Sequence, residues 1–582
     1  MNETERRAAI IARLTGGDGE FALRHARVGG VGQPVYEYAP ASLREVVAGG
    51  GRWGERRALT YEDDHRTWVE HQELVDRFAM LLVDRYGIGK GDRVAVAMRN
   101  YPEWIVAFAA TVSVGAVCVP LNAWWTGAEL AGALADCGAR LLVADRERTE
   151  AVQLRRRELP ALRAVVEVRP GDTVRGDDEW AAVLAGEHRR FDPATVPLEP
   201  DDDATILYTS GTSGRPKGAV ATHRAHLTTL MNMRVHAQVE AELARARGED
   251  PPPPPERPTM LVTGPLFHVA YLPRVIAAAT TGLHLVLMYR WDARRAVELI
   301  GREQVDSLTA VPPVARQLLD EIERSGVRLP SLRTLATGGA QSTAALIGRI
   351  GSLFGGRTGT ATGYGLTETT GAMMMIGSRD YFRRPLSVGR AFPTSQVRVV
   401  GPDGADVGTD EVGEAWFRGP NVARGYWNQD PATSTAFTPD GWFRSGDLVR
   451  RDAEGFVFIV DRIKDVVIRG GENVYCAEVE ERLGDHPGVE DVSVVGVPHP
   501  HLGEEVAAVV QVRPGAVVTA EDLRAHAGLH LAPFKVPTRF LIGSDPLPRN
   551  AAGKVLKREL RTRMDNLGPA GPAGPLTRSD RS

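Results

Sequence analysis

The chain is 582 residues long, more than one ordinary hydrophobic core can organise, so we expect a large domain built of sub-domains and a smaller domain beside it. Its 70 lysines and arginines nearly balance 74 aspartates and glutamates, and a net charge of -4 lacks the one-signed field of a nucleic-acid-binding protein. The three cysteines, Cys118, Cys137 and Cys476, are far apart and indicate neither a disulfide framework nor a structural zinc site.

The N-terminal segment carries no recognisable targeting signal. It mixes charged and apolar residues and lacks the hydrophobic region of a secretory signal peptide. No apolar run in the chain approaches the length needed to span a bilayer. We therefore expect a cytoplasmic protein without integral membrane contact and without a nucleic-acid partner, and the sequence leaves a homodimer open.

Several stretches repeat one pattern: a short β-branched run, a turn, and a run with helical periodicity. This pattern predicts an α/β fold of layered sub-domains with largely parallel strands. The clearest unit is a strand at Arg93–Met98, a helix opening at Asn100 and Pro102, and a second strand at Ala116–Val119. Further strands are predicted at Leu141–Ala144, Ala204–Leu207, Met260–Thr263, Ser307–Val311 and Leu332–Ala336.

Two segments offer almost nothing to bury. One spans about residues 240–258, contains five consecutive prolines, and is predicted to be a disordered surface loop. The other, residues 564–582, is predicted to be a disordered tail. After about Gly455 the pattern changes to a compact α+β unit whose helix begins with a capping box at Thr519. We predict an N-terminal domain over residues 1–461 and a small mobile C-terminal domain over 462–563.

The strongest chemical signal is the run YTSGTSGRPKG at residues 208–218, which follows the predicted strand Ala204–Leu207. Its glycines permit close backbone approach, and its amides, hydroxyls and ammonium suit the oxygens of a polyphosphate. The order differs from the Walker pattern GxxxxGK[ST], which disfavours an ordinary P-loop NTPase. A solvated Gly/Ser loop is the plain alternative. The predicted phosphate-binding residues are Thr209, Ser210, Gly211, Thr212, Ser213, Gly214 and Lys217.

Together with this loop, five further motifs occur in a familiar order: GGA at 338–340, GYGLTE at 363–368, GWFRSGD at 441–447, DRIKD at 461–465 and PRNAAGK at 548–554. From about residue 40 to 560 the sequence resembles the superfamily of adenylate-forming enzymes, which comprises acyl- and aryl-CoA synthetases, adenylation domains and luciferases. It is most similar to the acyl-CoA ligases. The resemblance implies an enzyme with a large α/β domain and a small mobile domain. It also implies that ATP, Mg²⁺, a carboxylic acid and coenzyme A are its ligands.

The resemblance assigns the nucleotide to a defined set of residues. Tyr364 is expected to stack on adenine, Thr367 to contact phosphate, and Glu368 to bind Mg²⁺, an ion for which one carboxylate with phosphate oxygens is sufficient. Asp447 and Arg462 are expected to hold the ribose. Taken alone, YGLTE could be a plain turn and the last pair a surface ion pair. The other expected nucleotide contacts are Gly339, Ala340, Gly363 and Gly365.

The resemblance also implies the catalytic groups. Lys554 is expected to move onto the acid and the α-phosphate, where its ammonium stabilises developing negative charge. Thr367 and Glu368 are included among the catalytic residues through their contacts with phosphate and metal. His268 is expected to orient the acid, although a lone histidine beside apolar residues is more often a packed core group.

Domain rotation and the second substrate are assigned to three residues. Lys464 matches the hinge position of the family, and Gly470 and Gly471 are expected to let the pantetheine arm of coenzyme A pass close to the backbone. A Gly-Gly pair could equally be an ordinary turn. The sequence departs from the commoner family residues at Phe443, Ser445, Asp461, Cys476 and Asn550, which affects nucleotide fit and the geometry of thioester formation.

The identity of the acid is not specified by any motif. His268, Ala310, Gly338 and Gly339 are expected to line the acid pocket, and their mostly small side chains leave volume for a bulky apolar group. Fatty, aromatic and polycyclic acids remain open.

Three other functions compete with coenzyme A ligation. They are loading of an acyl carrier protein, luciferase-like oxygenation, and nucleotide binding without catalysis. The intact charges of Lys217, Glu368, Asp447 and Lys554 argue against the last of these.

Overall fold

We describe the protein from a computed structural model that covers residues 2–186, 191–209, 216–249, 253, 255–550 and 553–566. The first part of the chain contains α1 (Glu3–Thr15), β1 (Leu23–Val28), β2 (Val31–Tyr36), α2 (Leu43–Ala48), β3 (Arg57–Tyr61), β4 (Asp64–Thr67), α3 (Trp68–Asp84), β5 (Arg93–Ala97), α4 (Pro102–Ser113), β6 (Val117–Pro120), α5 (Gly127–Cys137), β7 (Leu141–Asp145), α6 (Arg146–Gln153), β8 (Ala164–Val168), β9 (Asp178–Glu179) and α7 (Trp180–Leu184).

The middle of the chain continues with β10 (Asp203–Thr209), β11 (Lys217–Thr222), α8 (His223–Ala246), β12 (Thr259–Val262), α9 (Leu272–Thr281), β13 (His284–Leu287), α10 (Ala293–Arg302), β14 (Ser307–Ala310), α11 (Pro312–Ser325), β15 (Thr334–Thr337), α12 (Ala344–Leu353), β16 (Thr362–Leu366), β17 (Gly371–Ile376), α13 (Ser378–Arg383), β18 (Ser387–Ala391), β19 (Gln396–Val400), β20 (Gly413–Arg418), α14 (Asp430–Ala436), β21 (Phe443–Arg451) and β22 (Val457–Arg462).

The last part contains β23 (Val467–Arg469), β24 (Glu472–Val474), α15 (Cys476–Gly484), β25 (Val489–His499), β26 (Gly503–Val512), α16 (Ala520–Gly528), β27 (Arg539–Gly543) and α17 (Lys557–Asn566). These elements form a separate five-stranded sheet with its own apolar core. The chain leaves the large sheets after Arg462 and enters the small one at Val467.

Two large sheets organise the preceding residues. One has the order β11-β10-β6-β5-β7-β8-β9, in which every pair is parallel except the β10–β11 hairpin. The other has thirteen strands and joins a parallel half, from β3 to β16, to an antiparallel half, from β16 to β19. Helices cover the parallel strands, which are buried on both faces, as such sheets require. The α/β fold with a small C-terminal unit is confirmed.

The predicted elements agree closely with the structure. Each predicted strand is present within about two residues of its predicted ends, and α4 begins at Pro102 as expected. Thr519 caps α16 through its side chain, and Asp522 completes the capping box. The three cysteines are buried and free.

The predicted irregular loop at about 240–258 is wrong in its first part. Helix α8 continues to Ala246, because Val235, Val239 and Leu243 form an apolar stripe that packs against α1 and its neighbours. Residues 250–252 and 254 lie outside the described part of the chain.

The predicted tail also starts later than expected. Met564 is buried in the last turn of α17 and packs with Leu560 against the small sheet, so the helix reaches Asn566. Residues 567–582 are outside the described residues. Among the described helices, none combines the length and the apolar character needed to cross a membrane.

Candidate active site

The predicted phosphate loop connects two paired strands. Thr209 ends β10 and lies directly opposite Lys217, the first residue of β11, so the loop begins and ends at one place on the edge of the sheet. The calls on Ser210, Gly211, Thr212, Ser213 and Gly214 fall on residues outside the described part of the chain. The structure therefore fixes the two ends of the loop.

Tyr426 connects the phosphate loop to the predicted metal ligand. The segment around it pairs with β11, through hydrogen bonds such as Trp427 N to the Gly218 carbonyl at 2.8 Å. This pairing holds the Tyr426 ring 5.0 Å from Lys217 Nζ, while the Tyr426 hydroxyl donates to Glu368 Oε1 at 2.8 Å. Burial and the neighbouring Glu368 carboxylate raise the pKa of Tyr426, so the phenol stays protonated. Sequence reasoning missed this residue because no motif contains it.

The structure brings together Asp447, Arg462 and Tyr364 as the resemblance implied. Strands β21 and β22 pair with Asp447 opposite Arg462, and Arg462 Nε lies 2.8 Å from Asp447 Oδ1. The Tyr364 hydroxyl donates to Asp447 Oδ2 at 2.5 Å. Ser445, one of the departures, accepts the Asp447 backbone N–H at 3.0 Å. The carboxylate is therefore held in one orientation with its charge compensated.

Tyr364 is more enclosed than an adenine-stacking residue needs to be. Its side chain is 7% exposed, and its ring packs edge-on against Phe417 at 5.5 Å between centroids. Burial and Asp447 raise the pKa of Tyr364 well above its ordinary value. In this structure its evident role is to orient Asp447, and stacking on adenine remains a prediction. Gly363 and Gly365 flank it in β16, which pairs with β17.

Lys554 lies among the nucleotide-site charges, although it comes from the C-terminal unit. Its pKa is lowered from the ordinary value, first by burial and then by the positive charge of Arg462, while Asp447 and Glu368 act in the opposite direction. The residue is nonetheless exposed to solvent. Residues separated by more than a hundred positions thus share one electrostatic environment.

A tight hairpin holds Lys554 in place. Asn550 Oδ1 accepts the Lys554 backbone N–H at 3.0 Å, and Asn550 N donates to the Lys554 carbonyl at 2.8 Å. Gly553 has φ of 80°, and a Cβ there would lie 3.0 Å from Val311 Cγ2, so only glycine lets the hairpin approach Val311 this closely. The departure at Asn550 is therefore compatible with a well-formed lysine loop. Residues 551 and 552 lie outside the described set.

His268 lies in the turns between β12 and α9. Its Nδ1 accepts the Ala270 backbone N–H at 3.2 Å, which places the proton of the neutral ring on Nε2. Burial, and secondarily the charge of Lys554, lower the pKa of His268 to about 4, so the ring is neutral near pH 7. The histidine can thus donate one hydrogen bond from Nε2, and it lies close enough to Lys554 for that charge to affect its pKa.

Asn100 fixes the turn that carries His268. Its Nδ2 donates to the Gly264 carbonyl at 2.9 Å, and its Oδ1 accepts the Leu266 N–H at 3.0 Å. Asn100 follows β5, so it links the seven-stranded sheet to the segment that ends β12. The sequence pattern indicates this residue only as the start of a helix.

Apart from His268, the residues predicted to line the acid pocket lie at and after the ends of β14 and β15, and their contact with an acid stays a prediction. Ala310 is 1% exposed and packs in the apolar core. The next residue, Val311, is partly exposed and lies against both Gly553 and Gly339. Gly338 donates its N–H to the Ala310 carbonyl at 3.1 Å, which fixes the position of Gly339 and the exposed Ala340 that follows.

The predicted hinge residue Lys464 lies close enough to this cluster to interact with the charges of Asp447, Lys217 and Lys554, whereas the predicted coenzyme A loop lies in the small sheet. Lys464 lies between β22 and β23, and burial and the nearby Arg462 lower its pKa. Gly470 and Gly471 have φ of 61° and 89° and form the two-residue turn of the β23–β24 hairpin. The structure therefore shows the plain turn that was the alternative interpretation, and their contact with coenzyme A remains a prediction.

Glu368 is the described residue that suits a metal ion. Tyr426 occupies Oε1, and Oε2 has no hydrogen-bond donor among the described residues. A single carboxylate with substrate phosphate oxygens matches how Mg²⁺ is usually held. No group of three or more metal-ligating side chains occurs in the described ranges, so a metal would depend on the phosphates for its other ligands. Thr367, immediately before Glu368, is partly exposed on the same turn.

Comparison with known proteins assigns the chain to a family. The model for AMP-binding enzymes matches residues 47–427, and the model for the C-terminal domain of these enzymes matches residues 478–554. The chain therefore belongs to the family of AMP-binding enzymes. Its fold and its relatives identify it further as an AMP-forming acyl-CoA synthetase.

Two curated relatives and one solved structure illustrate this. A feruloyl-CoA synthase from an Amycolatopsis species is 36% identical over 88% of this chain and 99% of its own length. The long-chain-fatty-acid–CoA ligase FadD13 of Mycobacterium tuberculosis is 34% identical over 87% of this chain and 95% of its own. The o-succinylbenzoate coenzyme A synthetase of Bacillus subtilis, solved with ATP and a magnesium ion, is 26% identical, has a TM-score of 0.74, and is matched over 88% of this chain and 98% of its own.

Proposed function

We propose that the protein joins AMP to a bulky, largely apolar carboxylic acid and then transfers the acyl group to the thiol of coenzyme A. The observation that supports this proposal most directly is the position of Lys554. It comes from the C-terminal unit and shares one electrostatic environment with Glu368, Asp447 and Arg462. Fatty, aromatic and polycyclic acids all fit this description.

The first step makes the acid reactive. A carboxylate is a poor electrophile because resonance spreads its charge, so it needs a good leaving group. One carboxylate oxygen attacks the α-phosphorus of ATP, and the bond to pyrophosphate breaks. In phosphoryl chemistry of this kind the protein mainly positions the reactants and neutralises charge.

The described residues can supply both functions. Asp447 accepts from the ribose hydroxyls, Lys217 pairs with the polyphosphate, and the Lys554 ammonium lies where negative charge builds between acid and phosphate. His268 donates from Nε2 to the acid. Glu368 would hold Mg²⁺, which supplies charge neutralisation at the phosphate oxygens.

The second step requires the lysine hairpin to leave. A thiolate attacks the carbonyl carbon of the acyl-adenylate, and AMP departs with the electron pair. We infer that the C-terminal unit rotates about Lys464, since Lys554 would otherwise obstruct the thiol. Such rotation would break the contact of Gly553 with Val311 and separate Arg316 from Asp491, whose charged atoms are 3.7 Å apart.

The proposal is tested with purified enzyme, ATP, coenzyme A and a panel of fatty, aromatic and polycyclic acids. We expect acid-dependent pyrophosphate release and an acyl-CoA product by mass spectrometry. Accumulation of acyl-AMP without acyl-CoA would favour loading of a carrier protein. Absence of pyrophosphate release for every acid would reject the enzymatic proposal and favour a nucleotide-binding relative.

A further inference from the structure

Asn421 is a buried residue beside the turn that carries the proposed metal ligand. It is 0% exposed and belongs to the segment that leads from β20 to Tyr426. Its Nδ2 donates to the Thr369 carbonyl at 3.1 Å and to the Ala372 carbonyl at 3.3 Å. Both acceptors are backbone atoms, one and four residues after Glu368. The amide therefore uses both of its protons on the chain that follows the metal ligand.

The backbone of this turn includes a residue in an unfavourable conformation. Thr370 has φ of 51° and ψ of 31°, in the left-handed region that β-branched residues rarely adopt. Its Oγ1 is buried and has no hydrogen-bond partner among the described residues, so the side chain does not offset the strain. A conformation of this kind persists only where the surrounding structure enforces it. The contacts around Thr370 are therefore what keep the turn in place.

Those contacts come from two elements that are distant in sequence. Thr229 in α8 donates through Oγ1 to the Thr370 carbonyl at 3.1 Å. Ala423 donates its backbone N–H to the Glu368 carbonyl at 2.8 Å. With the two bonds from Asn421, the carbonyls at positions 368, 369, 370 and 372 all accept hydrogen bonds from these two elements. Loss of the amide would leave two of these backbone acceptors without their donor.

The segment that contains Asn421 therefore orients Glu368 at two levels. Tyr426 donates to the carboxylate, while Ala423 and Asn421 fix the backbone from which that side chain extends. Because Asn421 is fully buried, it acts through this turn and not by contact with a ligand.

We propose that Asn421 is a positioning residue for Mg·ATP: its amide fixes the strained turn, which keeps the Glu368 carboxylate in the orientation that receives Mg²⁺. The inference rests on the proposed role of Glu368 in the ligase and adds the residue on which that role depends. Loss of the amide should weaken the binding of ATP with Mg²⁺ and should hardly affect the binding of ATP without the metal, because only the metal complex uses this carboxylate.

The test is calorimetric titration of the purified protein with ATP, once with Mg²⁺ and once with EDTA. Asn421→Leu nearly preserves the size of the side chain and removes both donors. The affinity for Mg·ATP should fall about 10-fold, and that for metal-free ATP less than about twofold. Thr229→Val removes a single donor and should shift the ratio of the two affinities in the same direction by a smaller factor. Thr358→Val is the matched control and should keep the wild-type ratio, because its buried hydroxyl donates to the Leu332 carbonyl at 2.7 Å before β16, whereas Glu368 follows that strand.

The ratio of the two affinities separates positioning from a general loss of structure, which would weaken both equally. Thr370→Gly, added to Asn421→Leu, should recover part of the Mg·ATP affinity, because glycine adopts this conformation without strain. Equal weakening with and without Mg²⁺, no weakening, or no recovery by the glycine would overturn the assignment. If Asn421→Leu does not fold, Thr229→Val decides, and a wild-type ratio in that variant would overturn the assignment. Binding is measured without acid or coenzyme A, so the result is independent of the ligase function, which pyrophosphate release by the wild type tests.

Discussion

Removal of the Tyr426 hydroxyl tests whether this residue orients the proposed metal ligand. The hydroxyl donates to Glu368 Oε1 at 2.8 Å, and the ring beneath it lies 5.0 Å from Lys217 Nζ. Tyr426→Phe keeps the ring and its contact with the lysine. It removes only the hydrogen bond that fixes the carboxylate.

The size of the effect follows from the exposure of the two partners. A hydrogen bond to a charged acceptor contributes about 1.5–3 kcal/mol when it is fully buried. Tyr426 is 8% exposed, but Glu368 is only half-buried, so water replaces part of the lost interaction. We expect about 1 kcal/mol, which corresponds to about a fivefold rise in the Mg²⁺ concentration that gives half-maximal adenylation.

The assay is pyrophosphate release at saturating ATP and acid over a series of Mg²⁺ concentrations. Tyr36→Phe is the control, because its buried hydroxyl donates to Asn232 at 2.7 Å in a part of the fold remote from the nucleotide. The control should keep the wild-type Mg²⁺ dependence. An unchanged or stronger response to Mg²⁺ in Tyr426→Phe would refute the reasoning, because the hydroxyl would then be irrelevant to the metal or in competition with it.

Three further outcomes are expected. Burial and the charge of Arg462 lower the pKa of Lys554, so the rate of adenylation should fall as the pH rises, and this fall should begin below the ordinary lysine value of 10.5. Lys554→Arg should shift the fall to higher pH. A fall at the same pH in the variant would contradict the role of the ammonium. Asp461 accepts the Cys476 N–H across the junction of the two units, so this hydrogen bond stabilises the described arrangement, in which Lys554 lies among the nucleotide-site charges. Asp461→Asn should therefore slow adenylation more than thioester formation in single-turnover assays. Equal slowing of both steps would argue against this role. His226 is buried and its pKa is lowered to about 3, so as the pH falls below 6.5 the unfolded state binds this proton before the folded state does. The free energy of unfolding measured in urea should therefore decrease by about 1.4 kcal/mol per pH unit because of this group. His226→Gln should remove this contribution to the pH dependence, and an unchanged dependence would refute the prediction.

Much of the fold could be predicted from sequence because periodicity and turn chemistry act locally. The β5–α4–β6 unit was placed within a residue or two, since β-branched runs and Pro102 specify its strands and helix start. The end of α8 was not predicted, because most residues near 240 are polar and the few apolar residues of the stripe are separated by them. That stripe has a partner only once α1 packs against it.

The site residues could be predicted where a sequence motif itself includes the functional side chain. Asp447, Arg462 and Lys554 stand in recognisable strings, and the structure brings them together. Tyr426 and Asn100 could not be found in that way, since each acts through contacts between elements that are distant in sequence. Ala310 was assigned to the pocket by its small size; its side chain is buried in β14, and its contact with the acid stays a prediction.

The central claim is that Lys554 serves the adenylation step and not the thiol step. Single-turnover reactions with labelled ATP and an accepted acid should show acyl-AMP formation slowed by about 100- to 1000-fold in Lys554→Ala. The same variant, supplied with preformed acyl-AMP and coenzyme A, should make acyl-CoA at the wild-type rate. Normal adenylation in the variant, or equal loss of both steps, would contradict the account.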